Sequence, residues 1–455
     1  MAHCPYQQMN QRKILFIGYG SIAQALTPVL FDRYPGLNPN DVSAISADAR
    51  GAAVAREYGI AFTLWALTQA NLEEVLGERL GAGDIMLNLS VEVSSVALID
   101  WCQARNIMYL DTCVEPWPGG YDADQRPVLE TTNYWLRNHA LQRKDQGRST
   151  CVIAHGANPG LVSHFVKLAL KHLAAAHSIP ADLPCAALAS ALGIKVIHVA
   201  ERDTQTDERP LAPGEFANTW SVDGLMAEIM QRAELSWGTH ETRAPPGARR
   251  HDRSARSGMM LGGPGAKMHV SSWTPSVGEQ EAYLITHHET LSIGELLSEF
   301  HADGTLAYRP TVYYAYRPAP KTCESVQRWI RDGLARPAQK TVMRDALVDG
   351  ADELGALLVS EQGAYWFGSV LSLAQARRIA PYNNATSMQV VGGIVGALEW
   401  MVRHPSDGVV EAEDMDSDCV VQAALPFLGR VFGTHAAWPA NGTGTLQTVD
   451  FLRQG

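Results

Sequence analysis

Residues 13–24, Lys-Ile-Leu-Phe-Ile-Gly-Tyr-Gly-Ser-Ile-Ala-Gln, pass from four consecutive apolar side chains into a glycine-rich turn and out into an amphipathic segment. A short, wholly apolar run suits a strand buried on both faces, the environment of a parallel sheet. Gly18 permits the tight turn and Gly20 lets the backbone approach a pyrophosphate. Ala23, where a third glycine is usual, is still small enough for close helix–strand packing. Ile22, Leu26, Val29 and Leu30 fall on one face of a helix. Its N-terminal N–H groups and dipole would meet phosphate. Gly18, Gly20, Ser21 and Ile22 are therefore candidate dinucleotide-binding residues.

The ribose partner should follow the second strand, and Asp41-Val-Ser-Ala-Ile-Ser-Ala-Asp48 offers a strand ending at an acid. Asp48 lies slightly beyond the usual spacing of about 20 residues from the glycine loop. It also reads as a cap on a helix beginning at Ala49. An acid at this place favours NAD over NADP, although Arg50 stands close enough to receive a 2′-phosphate.

Strand-like runs recur at 84–89, 107–111 and 151–154, with helical segments at 71–80 and 95–106 between them. That alternation predicts an α/β fold, an N-terminal Rossmann-type, doubly wound parallel sheet over residues 1–157. A second, mixed α+β domain for substrate and dimerisation is expected over 158–380. It has strands at 193–201, 267–273, 282–288 and 311–316 and helices at 222–234, 292–300 and 324–334. A C-terminal segment, 381–455, carries an apolar helix at 387–402 suited to packing back on the first domain. Residues 239–266 read as a long basic loop.

Composition narrows the class. The chain has 455 residues, 46% of them hydrophobic, and a net charge of -11, which argues against nucleic acid as a partner. Seven scattered cysteines without a C-x-x-C pair point to a reducing compartment and to no structural zinc. No signal-like start and no uninterrupted apolar run of about 18 residues is evident. The expectation is a cytoplasmic protein with no membrane partner and no metal.

Six segments carry a more specific signal: Gly18-Tyr-Gly-Ser-Ile, Leu89-Ser-Val-Glu92, Asp111-Thr-Cys-Val-Glu115-Pro-Trp117, Gly156-Ala-Asn158-Pro159-Gly160, Glu215-Phe-Ala-Asn-Thr-Trp220-Ser-Val and Thr286-His287-His288-Glu289. Together, and in order along nearly the whole chain, they resemble bacterial homospermidine synthases, within the saccharopine dehydrogenase-like group. The resemblance implies NAD as cofactor and a homodimer. It implies oxidation of putrescine or spermidine to an imine, transfer of the aminobutyl group to putrescine with release of ammonia or diaminopropane, and reduction of the new Schiff base. The nicotinamide is recycled. A carboxynorspermidine- or saccharopine-type reductive dehydrogenase is the alternative enzyme, and a non-catalytic NAD-binding sensor the alternative of another class.

The residue types suit cationic intermediates. Glu115 follows a parallel strand at its carboxyl end, where it would accept hydrogen bonds from an ammonium and serve as proton acceptor. Glu92, Glu201 and Glu228 are further carboxylates for amines, Glu228 also catalytic. Asn158, at a helix start, would orient an amine or the nicotinamide, or simply cap the helix. Trp220 offers an indole face for a cation–π contact with ammonium or iminium, although tryptophan is usually core. His287, which the resemblance favours over His288, would shuttle protons near neutral pH. Ser90, Thr112, Asn158 and Pro159 complete the expected cofactor-binding set. Arg202 fits poorly with a purely cationic substrate.

Overall fold

The computed structural model describes residues 9–121, 126–144, 148–251, 258–439 and 445–453. The chain divides into two units, 1–161 with 374–427, and 162–373 with 428–455.

The first unit is built on seven parallel strands in the order Val409–Val410, β6 (Cys151–Val152), β5 (Met108–Asp111), β4 (Ile85–Asn88), β1 (Ile14–Ile17), β2 (Val42–Ser46), β3 (Ala61–Leu64). The reversal of direction beside β1 is the switch point at which such sheets bind ligands. Strands β1, β4 and β5 are buried on both faces, as their largely apolar character requires. Helix α1 (Ser21–Arg33) follows β1, and α2 (Ser95–Ala104) follows β4 with Ser94 as N-cap. The helix Ala385–Arg403 joins this unit from far along the chain. Its Gly393 lies so near the Gly156 carbonyl that a Cβ there would come within 1.9 Å of the oxygen. This helix is long and apolar enough to cross a membrane, but 94% of its most apolar window is buried within the protein.

The second unit contains an eleven-stranded mixed sheet among the described residues. Its path runs Arg249–Arg250, β9 (Gly258–Pro264), β8 (Arg232–Ser236), β10 (Thr311–Arg317), β7 (Val196–Asp203), β11 (Ala351–Ser360), β12 (Gly363–Ser372), β13 (Arg430–Ala436). A hairpin of His269–Thr274 and Gly278–Ile285 pairs with the side of β10. Strands β7 and β10 are parallel, with Tyr314 opposite Val199 and Tyr316 opposite Glu201. Alternation along each strand therefore sets Glu201, Asp203, Tyr314 and Tyr316 on one face, and Arg202, Tyr313 and Arg317 on the other.

Several expectations change. The boundary expected at 381 lies at 374, and the expected C-terminal segment 381–455 is divided, because residues from 428 onward supply strands to the second unit. The helix expected over 222–234 stops at Met230, and Arg232–Ser236 forms a strand whose alternating polar and apolar residues fit a period of two as well as of 3.6. The helix expected over 292–300 spans His288–Leu296. The basic stretch 239–266 holds Arg249–Arg250 paired with β9 rather than a continuous loop, although its residues 252–257 lie outside the described residues.

Candidate active site

The glycine loop forms as its composition requires. Gly18 adopts φ +81°, and a Cβ there would lie 2.8 Å from the Ser90 backbone, so only glycine allows the β1 and β4 loops to meet. Gly20 is the N-cap of α1, has no side-chain cap, and faces open space where a Cβ would stand. Exposed, uncapped N–H groups at the start of a helix fit a pyrophosphate. Asp48 stands past the end of β2, but the nearby helix begins at Ala52 with Gly51 as N-cap, so Asp48 does not cap a helix at Ala49. Its Oδ1 accepts the Arg50 N–H at 2.9 Å and its Oδ2 lies 2.6 Å from the Arg50 guanidinium. These hydrogen bonds hold the half-exposed carboxyl below its ordinary value.

The loops after β4 and β5 are clipped together. The Glu92 N–H donates to Glu115 Oε2 at 3.3 Å, the Ser95 N–H to the Glu115 carbonyl at 2.9 Å, and the Glu115 N–H to Ser95 Oγ at 3.0 Å. Glu92 takes φ +59°, a left-handed conformation uncommon outside glycine. Beneath these loops runs a buried polar chain absent from the sequence-based expectations. Ser90 Oγ donates to Asn88 Oδ1 at 2.6 Å, Asn88 Nδ2 to the Tyr109 hydroxyl at 3.1 Å, and that hydroxyl to Asp111 Oδ2 at 2.7 Å. Asp111 Oδ1 in turn accepts the Ala154 N–H at 2.6 Å, tying β5 to the end of β6. The following turn closes with the Gly156 N–H on the Pro159 carbonyl at 2.7 Å, leaving Asn158 half-buried at its tip. Thr112 packs against Gly156, 3.5 Å from its Cβ position.

In the second unit Glu201, Trp220, Glu228 and His287 come together through two tyrosines. His287 is the N-cap of α4 (His288–Leu296), entering it from extended backbone. Its Nδ1 lies 3.0 Å from the buried Glu289 carboxylate, and its Nε2 lies 3.5 Å from Glu228 on α3 (Val222–Met230), which remains 19% exposed. Burial would favour the neutral ring. The charges of Glu289 and Glu228 outweigh it and hold His287 protonated well above its ordinary range.

The imidazole packs on Tyr314 with ring centroids 4.4 Å apart, and Tyr314 stacks on Tyr316 at 5.5 Å. The Tyr314 hydroxyl donates to Glu201 Oε2 at 2.6 Å. The half-buried Trp220 donates Nε1–H to the Tyr316 hydroxyl at 3.4 Å. Burial, reinforced by Glu201, pushes both tyrosine hydroxyls well above their ordinary values and keeps them neutral donors. Tyr314, Tyr316 and Glu289 were missing from the expected site. The signal for the tyrosines was their spacing of two within one strand.

His288 begins the helix rather than continuing a strand, so the two histidines part at a helix start and not by strand alternation. Arg202 lies on the face of β7 opposite Glu201, where Nη1 donates to Gln280 Oε1 at 2.7 Å. Among the described residues no group of three His, Cys, Asp or Glu side chains is arranged for a metal ion.

Residues 14–154 match the saccharopine dehydrogenase NADP binding domain and residues 156–433 the saccharopine dehydrogenase C-terminal domain. The chain is 39% identical over 450 residues to a homospermidine synthase of Blastochloris viridis, covering 96% of this chain and 94% of that protein. It is 38% identical over 446 residues to one of Mesorhizobium japonicum, covering 93% and 90%. The crystal structure of a homospermidine synthase from Legionella pneumophila in complex with NAD is similar at 40% identity and a TM-score of 0.88, covering 94% of this chain and 92% of that one.

Proposed function

The chain belongs to the homospermidine synthase family, and from that membership we propose that it transfers an aminobutyl group between polyamines with NAD as its cofactor. Putrescine, or spermidine, is oxidised at the carbon bearing one amine to give an imine. A second putrescine adds, ammonia or diaminopropane leaves, and reduction of the resulting Schiff base yields homospermidine. NAD, when bound, accepts the hydride in the first half-reaction and returns it in the last, so there is no net redox change.

Gly18, Gly20, Ser21 and Ile22 would hold the pyrophosphate and Asp48 the ribose, with Ser90, Thr112, Asn158 and Pro159 around the nicotinamide end. The open space at Gly20 and the uncapped start of α1 support this set. Asp48 opposes a 2′-phosphate, and it engages Arg50, the cation two residues on, at 2.6 Å.

Every intermediate is cationic and the free imine hydrolyses, so the protein must stabilise positive charge while limiting water. The observation that carries the proposal is the joining of Glu201, Tyr314, His287 and Glu228 into one charged, largely buried network beside Trp220. In this scheme His287 Nε2 and Glu228 exchange the proton that an amine must lose before attack. Glu201, Glu92 and Glu115 grip ammonium groups, Glu115 also accepting a proton, and Asn158 orients an amine. Trp220 offers a face to the iminium through cation–π attraction of roughly 0.5 to 2 kcal/mol. A carboxylate-bearing substrate would want an arginine on the same face. Arg202 is turned away from Glu201 by strand alternation. Homodimerisation is proposed on the family resemblance. A cytoplasmic location is proposed on the cysteines, none of the six described ones being in a disulfide.

The test is product analysis by mass spectrometry after incubation with isotopically labelled putrescine and NAD, with nicotinamide absorbance followed in parallel. Homospermidine and ammonia without net reduction of NAD are expected. Net NADH, or product only on addition of an amino-aldehyde, would instead indicate a reductive dehydrogenase, and tight NAD binding without turnover a sensor.

A further inference from the structure

The indole of Trp220 is held at two points. Its Nε1–H faces the Tyr316 hydroxyl at 3.4 Å. The far edge of its six-membered ring lies against Gly224, where a Cβ would come within 2.8 Å of Cζ3. Gly224 occupies the first turn of α3, its N–H satisfied by Ser221 Oγ at 3.0 Å. Alanine is favoured over glycine within a helix, so glycine at this position runs against helix propensity. What it provides is room for the ring. Tyr316 is itself immobilised, 1% exposed and stacked on Tyr314 with the ring planes 14° apart, while Tyr314 is tied to Glu201.

We propose that Tyr316 and Gly224 are positioning residues that fix the plane of the Trp220 indole, keeping its face toward the migrating positive charge while the aminobutyl group passes to its second amine. The proposal rests on the role given to Trp220 above. An aromatic face attracts a cation and an aromatic edge repels it, because the ring quadrupole is negative on the face and positive at the rim. A ring free to tilt would therefore lose its hold on the iminium during transfer. Water would add to the iminium carbon, ammonia would leave, and 4-aminobutanal would be released, with one reduced nicotinamide left behind for each escape.

The experiment measures the ratio of 4-aminobutanal, trapped with o-aminobenzaldehyde, to homospermidine formed from putrescine and NAD. A ratio of two products does not depend on the fraction of enzyme correctly folded. Tyr316→Phe and Gly224→Ala are made in the wild-type chain and again with Trp220→Phe. In the wild-type background Tyr316→Phe should raise the ratio by about 3- to 10-fold, the equivalent of one hydrogen bond, and Gly224→Ala by at least as much. With Trp220→Phe, which has neither the N–H nor the Cζ3 edge, neither change should raise it further. Equal increases in both backgrounds, or no increase in the wild-type one, overturn the proposal. A Trp220→Leu enzyme with full activity and no added leakage overturns the underlying role of Trp220 instead. Tyr316→Phe removes a single oxygen and keeps the test open should Gly224→Ala fold poorly.

Discussion

His287 and Glu289 are joined through Nδ1, which sits 3.1 and 3.0 Å from the two carboxylate oxygens, with Glu289 only 1% exposed. The buried acid fixes Nδ1 as a donor and leaves Nε2, toward Glu228, as the nitrogen able to trade protons. This is the division of labour seen wherever a carboxylate orients a catalytic imidazole.

The sign of the resulting pH dependence is set by the raised proton affinity of folded His287. Its stabilising contribution is complete below about 6.5, the value for an unfolded histidine, and fades as pH rises through the higher folded value. Glu289→Gln removes one of the two flanking charges, so the imidazole should lose its proton at lower pH. Activity profiles through the neutral and alkaline range, beside imidazole NMR of both proteins, check this. Superimposable profiles would argue against a role for Glu289.

Trp220→Leu should lower homospermidine formation by up to about 30-fold, the equivalent of a desolvated cation–π contact of roughly 2 kcal/mol. The half-buried indole leaves the core largely untouched, so circular dichroism and NAD titration should match the wild type.

Glu92 separates its backbone from its side chain. At φ +59° a glycine is relieved of about 1 kcal/mol of strain, so Glu92→Gly should melt no lower than the wild type. The KM for putrescine should nevertheless rise, since the carboxylate proposed to grip an amine has gone. An unchanged KM would remove Glu92 from substrate binding.

Asp48→Asn should weaken NAD binding by about tenfold, one charge-assisted hydrogen bond. NADP binding should improve, because Arg50 loses its partner at 2.6 Å. Calorimetric titration with both dinucleotides measures the two effects without turnover.

Gly393→Ala forces a methyl into the space taken by the Gly156 carbonyl. Overpacking of this kind costs about 1 to 3 kcal/mol. A lower melting temperature is expected, together with weaker NAD binding, because the displaced turn carries Asn158 and Pro159.

Much of the first unit was legible because its signals are local: an apolar run, two glycines and a helix face lie within about twenty residues in such a motif. The second unit was harder. Leu354 to Val359 and Ala364 to Val370 build the paired strands β11 and β12, yet they attracted no strand assignment among their small and apolar residues. The short strand Arg232–Ser236 was absorbed into the preceding helix because five residues fit either period. At the candidate site, Glu201, Trp220, Glu228 and His287 were proposed by resemblance. The contacts among them were not, since Tyr314 and Tyr316 bridge residues far apart in sequence. Only the register of β7 with β10 brings Tyr316 opposite Glu201.

The near contact between Gly156 and Gly393 also bears on how the protein is made. Chains emerge from the ribosome N-terminus first. When Cys151–Val152 appears, the nucleotide-binding sheet still lacks its outermost strand, Val409–Val410, and the helix Ala385–Arg403 that covers it. More than two hundred residues of the second unit intervene. The first unit to begin synthesis must therefore wait, incomplete, until most of the other has been translated. A fragment ending near residue 161 should expose the apolar seat of the missing helix and depend on chaperones to stay in solution.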